Sequence, residues 1–253
     1  MNNALVDPTN SARQAPQAMP PIDLPTFKQT GYLIFESLLS EAECTELKAE
    51  IDQLVPRRIN VACELPAHAA LVTHPKLMGI ARTLMDGTEY GFHHLHSACH
   101  HAGTPAFPWH HDYEQNPQVD RQHTMVHFFM YLNGLNGTVG DLLIIPGSHH
   151  QVLGRYDFSQ LGTVDLPGTL LINNIPPGSV VAIHSAAVHA RRARPGGEGH
   201  PRYFIDASYC QAGRSWPAYG ERGNWREILA RLRARDAQRG GDYEFVFQEK
   251  HFG

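Results

Sequence analysis

The chain has 253 residues, of which 42% are apolar and 18% charged, and its formal net charge is −4. This is the composition of a globular protein and excludes a largely disordered chain. The charge balance gives no indication of a nucleic-acid-binding surface. No stretch approaches the roughly 18 apolar residues of a membrane span. We therefore expect neither a nucleic-acid partner nor a membrane partner.

The amino-terminal segment, residues 1–21, is rich in Pro, Asn, Ala and Gln and poor in apolar side chains. This composition predicts a flexible lead-in. The segment lacks the basic and apolar regions of a signal peptide, so we expect a cytoplasmic location. The remainder, residues 22–253, shows neither an internal repeat nor a linker, and we expect it to form a single domain.

Three segments have the patterns of helices. Ser40 and Glu43 have the spacing of a capping box, and apolar residues recur after them at helical spacing as far as position 54, which predicts a helix over 40–54. Pro75 begins a second predicted helix over 75–85. A third helix is predicted over 225–235, and an apolar run behind Gly31 predicts a strand over 32–35.

From residue 90 the pattern changes to short apolar runs separated by Asn-Gly and Pro-Gly pairs. These runs predict strands over 125–132, 142–145, 169–172, 180–184 and 203–209. Many short strands with such punctuation favour an antiparallel sandwich or barrel. We therefore predict a mainly β fold with flanking helices (α+β), with the jelly roll as the leading candidate.

The segment 107–113 contains the triplet His110-His111-Asp112. On an extended strand, residues two apart point to the same face, so His110 and Asp112 could bind one metal ion together. The pattern is weak by itself, because the chain contains 17 histidines. Core histidines with satisfied hydrogen bonds are the competing interpretation.

A facial triad of two histidines and one carboxylate requires a second, distant histidine. His189, just past the predicted strand at 180–184, is the candidate. Such a triad leaves coordination positions open for a co-substrate and O2, and its oxygen and nitrogen ligands suit a redox-active iron. A closed zinc–thiolate site is not expected, because the four cysteines form no CxxC pair.

Arg202 opens the predicted strand at 203–209, thirteen residues after His189. A guanidinium inside a barrel needs an anionic partner, and its planar fork suits a carboxylate. A dicarboxylate co-substrate would supply that partner. By strand parity, the face of Arg202 is shared by Phe204, Asp206 and Ser208.

Further polar residues have the position or parity to face the same interior. His127 and Tyr131 share one face of the predicted strand at 125–132. A run of histidines lies upstream of the His110 segment, and we expect one or two of them to line a pocket: His93, His94, His96, His100 and His101.

Taken together, these segments resemble the phytanoyl-CoA dioxygenase family of Fe(II)- and 2-oxoglutarate-dependent oxygenases. The resemblance rests on five stretches that follow in order: 27–43 (FKQTGYLIFESLLSEAE), 109–112 (WHHD), 140–149 (GDLLIIPGSH), 178–189 (GSVVAIHSAAVH) and 201–202 (PR). It implies a double-stranded β-helix, the jelly-roll or cupin-like barrel. It also implies iron ligands at His110, Asp112 and His189, and a co-substrate-binding arginine at Arg202.

The resemblance implies the cofactors Fe(II), 2-oxoglutarate and O2 and a hydroxylation, or a desaturation, of a small-molecule substrate. Related halogenases replace the carboxylate ligand by Gly or Ala, so Asp112 favours hydroxylation. Two other functions stay open. One is a metal-binding cupin-like isomerase or ligand-binding module, which would not need Arg202; the other is a metal-buffering protein with several weak sites. The substrate and the oligomeric state are not predicted.

Overall fold

A computed structural model describes residues 19–56, 62–114, 121, 123–194, 199–212, 216–217 and 225–248. Most of the predicted lead-in, residues 1–18, lies outside the described residues, and its flexibility stays a prediction. The described part contains five α-helices: α1 (Leu24–Thr30), α2 (Glu41–Leu54), α3 (Pro66–Val72), α4 (Pro75–Leu84) and α5 (Trp225–Gln238). None of these helices has the length and apolar character needed to cross a bilayer.

The three predicted helices are confirmed as α2, α4 and α5. At the start of α2, the Ser40 hydroxyl accepts from the Glu43 amide and the Glu43 carboxylate accepts from the Ser40 amide, which completes the capping box. Helix α1 was not predicted. It begins after Asp23, whose carboxylate accepts from the Thr26 amide, and it ends at Gly31 with φ of 81°.

Eleven strands follow in chain order: β1 (Tyr32–Phe35), β2 (Tyr90–His100), β3 (Phe107–His110), β4 (Met125–Tyr131), β5 (Leu135–Asn136), β6 (Asp141–Ile144), β7 (Leu170–Ile172), β8 (Asn174–Ile175), β9 (Ser179–His184), β10 (His189–Arg192) and β11 (Arg202–Gln211). The six predicted strands are confirmed as β1, β4, β6, β7, β9 and β11. The long strand β2 was not predicted.

Two antiparallel sheets contain most of these strands. The major sheet has the order β1-β9-β4-β11-β2 and the minor sheet the order β3-β10-β6-β7, while β5 and β8 pair separately. The sheets are not closed into a barrel. This is the predicted mainly β jelly-roll architecture with flanking helices.

The alternation of side chains along β4 shows how the two sheets and the helices share the core. Phe128 and Met130 pack in the cluster that contains the buried faces of the helices. Phe129 and Tyr131 pack in a second cluster, with Leu142 and other residues of the minor sheet. Odd-numbered residues of β4 therefore face the space between the two sheets.

Candidate metal centre

The minor sheet brings the two predicted histidine ligands face to face. His110, at the end of β3, is the direct cross-strand partner of His189, at the start of β10. Their rings lie 4.2 Å apart between centroids. Directly paired residues on neighbouring antiparallel strands project to the same side of the sheet, which explains why residues 79 positions apart meet here.

Asp112 completes the group from just beyond β3. The sequence analysis placed it on the same strand as His110, which is wrong in detail: the strand ends at His110. The Asp112 amide donates to the Ser185 carbonyl over 2.7 Å and fixes the irregular backbone. Its Oδ2 lies 3.2 Å from His189 Nε2, and its Oδ1 lies 3.7 Å from His110 Nε2.

Hydrogen bonds to backbone carbonyls orient both imidazoles. His110 Nδ1 donates to the Pro108 carbonyl over 2.8 Å, and His189 Nδ1 donates to the Ala187 carbonyl over 3.0 Å. With Nδ1 carrying the proton, the Nε2 atom of a neutral ring presents its lone pair toward Asp112. Such carbonyl contacts behind the ring are the usual support of a metal-binding histidine.

The electrostatics of the triad also suit a divalent cation. Burial, reinforced by the charge of His189, lowers the pKa of His110 to about 4. Burial by itself would raise the pKa of Asp112, but its contact with His189 and the nearby histidine charges hold that pKa well below its usual range. One ligand atom from each of the three residues lies within 4.8 Å of the others. A carboxylate and two imidazole lone pairs, already desolvated, fit Fe(II).

Arg155 supports the carboxylate from a loop of the chain, and the sequence gave no signal for it. Its Nη2 donates to Asp112 Oδ1 over 2.9 Å. Its Nη1 lies 3.8 Å from an oxygen of Glu114. The hydrogen bond occupies Oδ1 and leaves Oδ2, the oxygen nearer His189, to face the space between the two imidazoles.

Arg202 lies in the same cavity and is 2% exposed. Its Nη2 donates to the Tyr131 hydroxyl over 3.2 Å, and its guanidinium lies 5.0 Å from the Tyr131 ring and 5.3 Å from the Phe204 ring. Among the described residues, no carboxylate pairs with Arg202, and its Nε and Nη1 have no hydrogen-bond partner. A buried guanidinium with two unused donors is arranged for an external carboxylate.

A cavity of about 450 Å³ joins the triad to Arg202. It is lined by the residues His94, His96, His100, Phe107, His110, Asp112, Glu114, His127, Phe129, Leu142, Arg155, His189, Ala190, Arg191, Arg202, Phe204 and Asp206. Three of the five upstream histidines therefore line the pocket, somewhat more than expected. The shared face of Arg202, Phe204 and Asp206 is confirmed, whereas Ser208 lies deeper and contacts His94.

The comparisons with known proteins agree with this architecture. The profile of the phytanoyl-CoA dioxygenase (PhyH) family matches residues 62–194, more than half of the chain. The chain therefore belongs to the phytanoyl-CoA dioxygenase family, and it is a 2-oxoglutarate-dependent non-haem iron oxygenase. The cofactors of this class are Fe(II), 2-oxoglutarate and O2. No curated protein sequence matches the chain significantly.

Several solved structures share the fold. EctD from S. alaskensis, solved with 2-oxoglutarate and 5-hydroxyectoine, has a TM-score of 0.63 at 19% identity over 83% of each chain. The carbocyclase SnoK from nogalamycin biosynthesis has a TM-score of 0.62 at 20% identity, over 82% of this chain and 88% of its own. The epimerase SnoN, solved with Fe3+, α-ketoglutarate and nogalamycin RO, has a TM-score of 0.61 at 19% identity, over 78% and 85%.

Proposed function

We propose that this protein hydroxylates, or desaturates, an aliphatic C–H bond of a small molecule or natural product, with release of succinate and CO2. The proposal extends the family's reaction class to this chain's own pocket. It is supported by structural neighbours solved with small molecules such as 5-hydroxyectoine and nogalamycin RO. A cavity of about 450 Å³ lies within the range of small-molecule sites.

In this proposal, His110, Asp112 and His189 hold the iron through His110 Nε2, Asp112 Oδ2 and His189 Nε2. Three ligands from one side leave the remaining positions open toward the cavity. When bound together, Fe(II), 2-oxoglutarate and O2 supply an oxidation in which one oxygen atom goes to the substrate and the other to succinate. The chain's own residues orient these reactants and exclude water.

Arg202 carries the assignment of the co-substrate. Its two unused donors lie in the cavity that the triad also lines, and the far carboxylate of 2-oxoglutarate would accept from them. The Tyr131 hydroxyl, already in contact with Nη2, holds the guanidinium in place. A metal-binding module that did not use 2-oxoglutarate would have no need for this buried, unpaired cation.

An anaerobic titration tests the proposal. Apo-protein receives Fe(II) and then 2-oxoglutarate, and the weak visible charge-transfer band of the chelate is monitored. We expect a band that saturates at one equivalent of iron and that is lost in Arg202→Ala and in His189→Ala. Arg231→Gln, on an exposed face of α5, is the matched control and should behave as the wild type. Iron binding without a band in the wild type would contradict the proposal.

A further inference from the structure

A second polar group lies in the same cavity, away from Arg202. It consists of His94 on β2, His127 on β4 and Asp206 on β11, all buried. His127 Nδ1 donates to both oxygens of Asp206, over 3.0 and 2.9 Å. His94 Nε2 lies 3.4 Å from Asp206 Oδ2. The carboxylate therefore fixes the ring of His127 and occupies one of its two nitrogens.

The other nitrogen of His127 is unused. The side chain is 1% exposed and lines the cavity, yet Nε2 has no hydrogen-bond partner among the described residues. A buried polar atom without a partner is unfavourable, and such atoms in native proteins mark the position of an absent ligand or water. The unused atom therefore indicates a contact that forms when the cavity is occupied.

The position of His127 separates this contact from the co-substrate end. His127, Phe129 and Tyr131 follow one another on the inward face of β4, and His127 and Tyr131 are about 13 Å apart along the strand. Phe129 stacks near Phe204 of β11, with ring centroids 5.4 Å apart. This aromatic pair stands between the Tyr131 end and the His127 end, so a carboxylate held by Arg202 lies on the opposite side of it.

The charge state of His127 defines what it can bind. Burial by itself would lower the pKa of His127, but the carboxylate of Asp206 raises it to about 9. At neutral pH both ring nitrogens then carry protons, and Nε2 is a charged hydrogen-bond donor. A charged donor in a desolvated cavity favours an electron-rich oxygen, above all a carboxylate.

We propose that His127, held by Asp206, is a binding point for a carboxylate of the primary substrate. The inference rests on the proposed function, because it assigns the primary substrate to this pocket. It deepens that function by naming a substrate class: small molecules that carry a carboxylate. Asp206 acts here as a positioning residue, since it meets the ligand only through the ring that it orients.

Nuclear magnetic resonance tests the contact without knowledge of the substrate. The full chain, labelled with ¹⁵N at histidine, is loaded with one equivalent of Zn(II) and saturated with 2-oxoglutarate, and acetate is the probe. The ring signals of His127 are those missing from His127→Gln. We expect them to show two protonated nitrogens and the Nε2–H signal to move on saturation with acetate. His150→Gln, the same change at an exposed histidine, should bind acetate unchanged.

Acetate affinity should fall about tenfold or more in His127→Gln, because a charge-assisted hydrogen bond is lost. Removing one partner of a buried ion pair can unfold a protein, so the double variant His127→Gln/Asp206→Asn, which leaves no charge unpaired, should show the same loss. The dissociation constant of 2-oxoglutarate should stay within about twofold of the wild-type value.

Three results would overturn the inference. The first is an acetate titration that leaves the His127 signals unmoved. The second is a loss of 2-oxoglutarate affinity in His127→Gln, which would make the co-substrate the ligand. The third is a second equivalent of Zn(II) bound by His94, His127 and Asp206, which would make the group a metal site. Failure of the proposed function is seen separately, as the absence of the charge-transfer band in the wild type.

Discussion

Arg155 donates a hydrogen bond of 2.9 Å to Asp112 Oδ1, although 43 positions separate the two residues. The contact fixes the carboxylate while its other oxygen lies 3.2 Å from His189 Nε2. Residues that orient a metal ligand influence metal affinity nearly as strongly as the ligands themselves. Arg155 therefore belongs to the account of the centre, although it would not touch the metal.

Replacing Arg155 with Gln should weaken Fe(II) binding by roughly 10- to 100-fold, because Asp112 loses the group that orients it. Arg155→Lys should retain part of the affinity, since it keeps the charge but not the planar fork. Anaerobic iron titration measures the effect, with Arg231→Gln as the control. Equal affinities in Arg155→Gln and the wild type would show that Asp112 needs no such support.

Asp112→Ala should remove most iron binding and most turnover of 2-oxoglutarate. The variant deletes the only anionic ligand of the proposed triad, and the two remaining imidazoles would hold Fe(II) weakly. Metal content after dialysis and succinate formation are the two readouts, and Asp157→Ala, in an exposed loop, is the matched control. Unchanged metal content would remove Asp112 from the site.

Arg202→Met should leave the apo-protein as stable as the wild type or more stable, because the wild-type guanidinium is buried with unused donors. The same change should lower the affinity for 2-oxoglutarate by about 100-fold, since two charge-assisted hydrogen bonds are lost. Thermal unfolding with and without 2-oxoglutarate measures both effects. A strong destabilisation of the apo-protein would mean that Arg202 has a structural partner.

Stability should fall as the pH is lowered, in part because of His93. This ring is fully buried and donates from Nε2 to the Pro217 carbonyl, and burial together with the charge of His94 lowers its pKa to about 3. The folded protein keeps the ring neutral, whereas the unfolded chain takes up a proton below about pH 6.5. The contribution is therefore present above pH 6.5 and is lost as the pH falls toward 3.

Between pH 6.5 and 5, this group should cost at most about 2 kcal/mol of unfolding free energy. Urea unfolding at several pH values measures it. His93→Gln, which cannot titrate, should show a flatter profile over that range. If the wild type and His93→Gln have parallel profiles, the ring is not held neutral in the folded state.

Local patterns accounted for much of the fold. The capping box of Ser40 and Glu43 and the apolar runs of β4, β9 and β11 are readable because each signal lies within one short segment. Strand β2 was missed because its sequence, YGFHHLHSACH, shows no clean alternation. It is buried on both faces at its start and lies at the edge of the major sheet, so no simple polar and apolar period marks it.

The proposed site was predictable where parity or a motif carried the information. The grouping of His110, Asp112 and His189 followed from spacing and family resemblance, and Asp206 followed from its parity with Arg202. The partners of these residues did not follow. The contact of Arg155 with Asp112 and that of His127 with Asp206 join distant segments, and no feature of either segment indicates the other.

Two groups of described residues have the composition to bind a metal: His110, Asp112 and His189, and His94, His127 and Asp206. A crystal loaded anaerobically with Fe(II) and 2-oxoglutarate, measured at the iron absorption edge, distinguishes them directly. We predict one anomalous peak within bonding distance of His110 Nε2, Asp112 and His189 Nε2, with the far carboxylate of 2-oxoglutarate on Arg202. An iron peak at the His94, His127 and Asp206 group, with none at the first, would contradict the central claim.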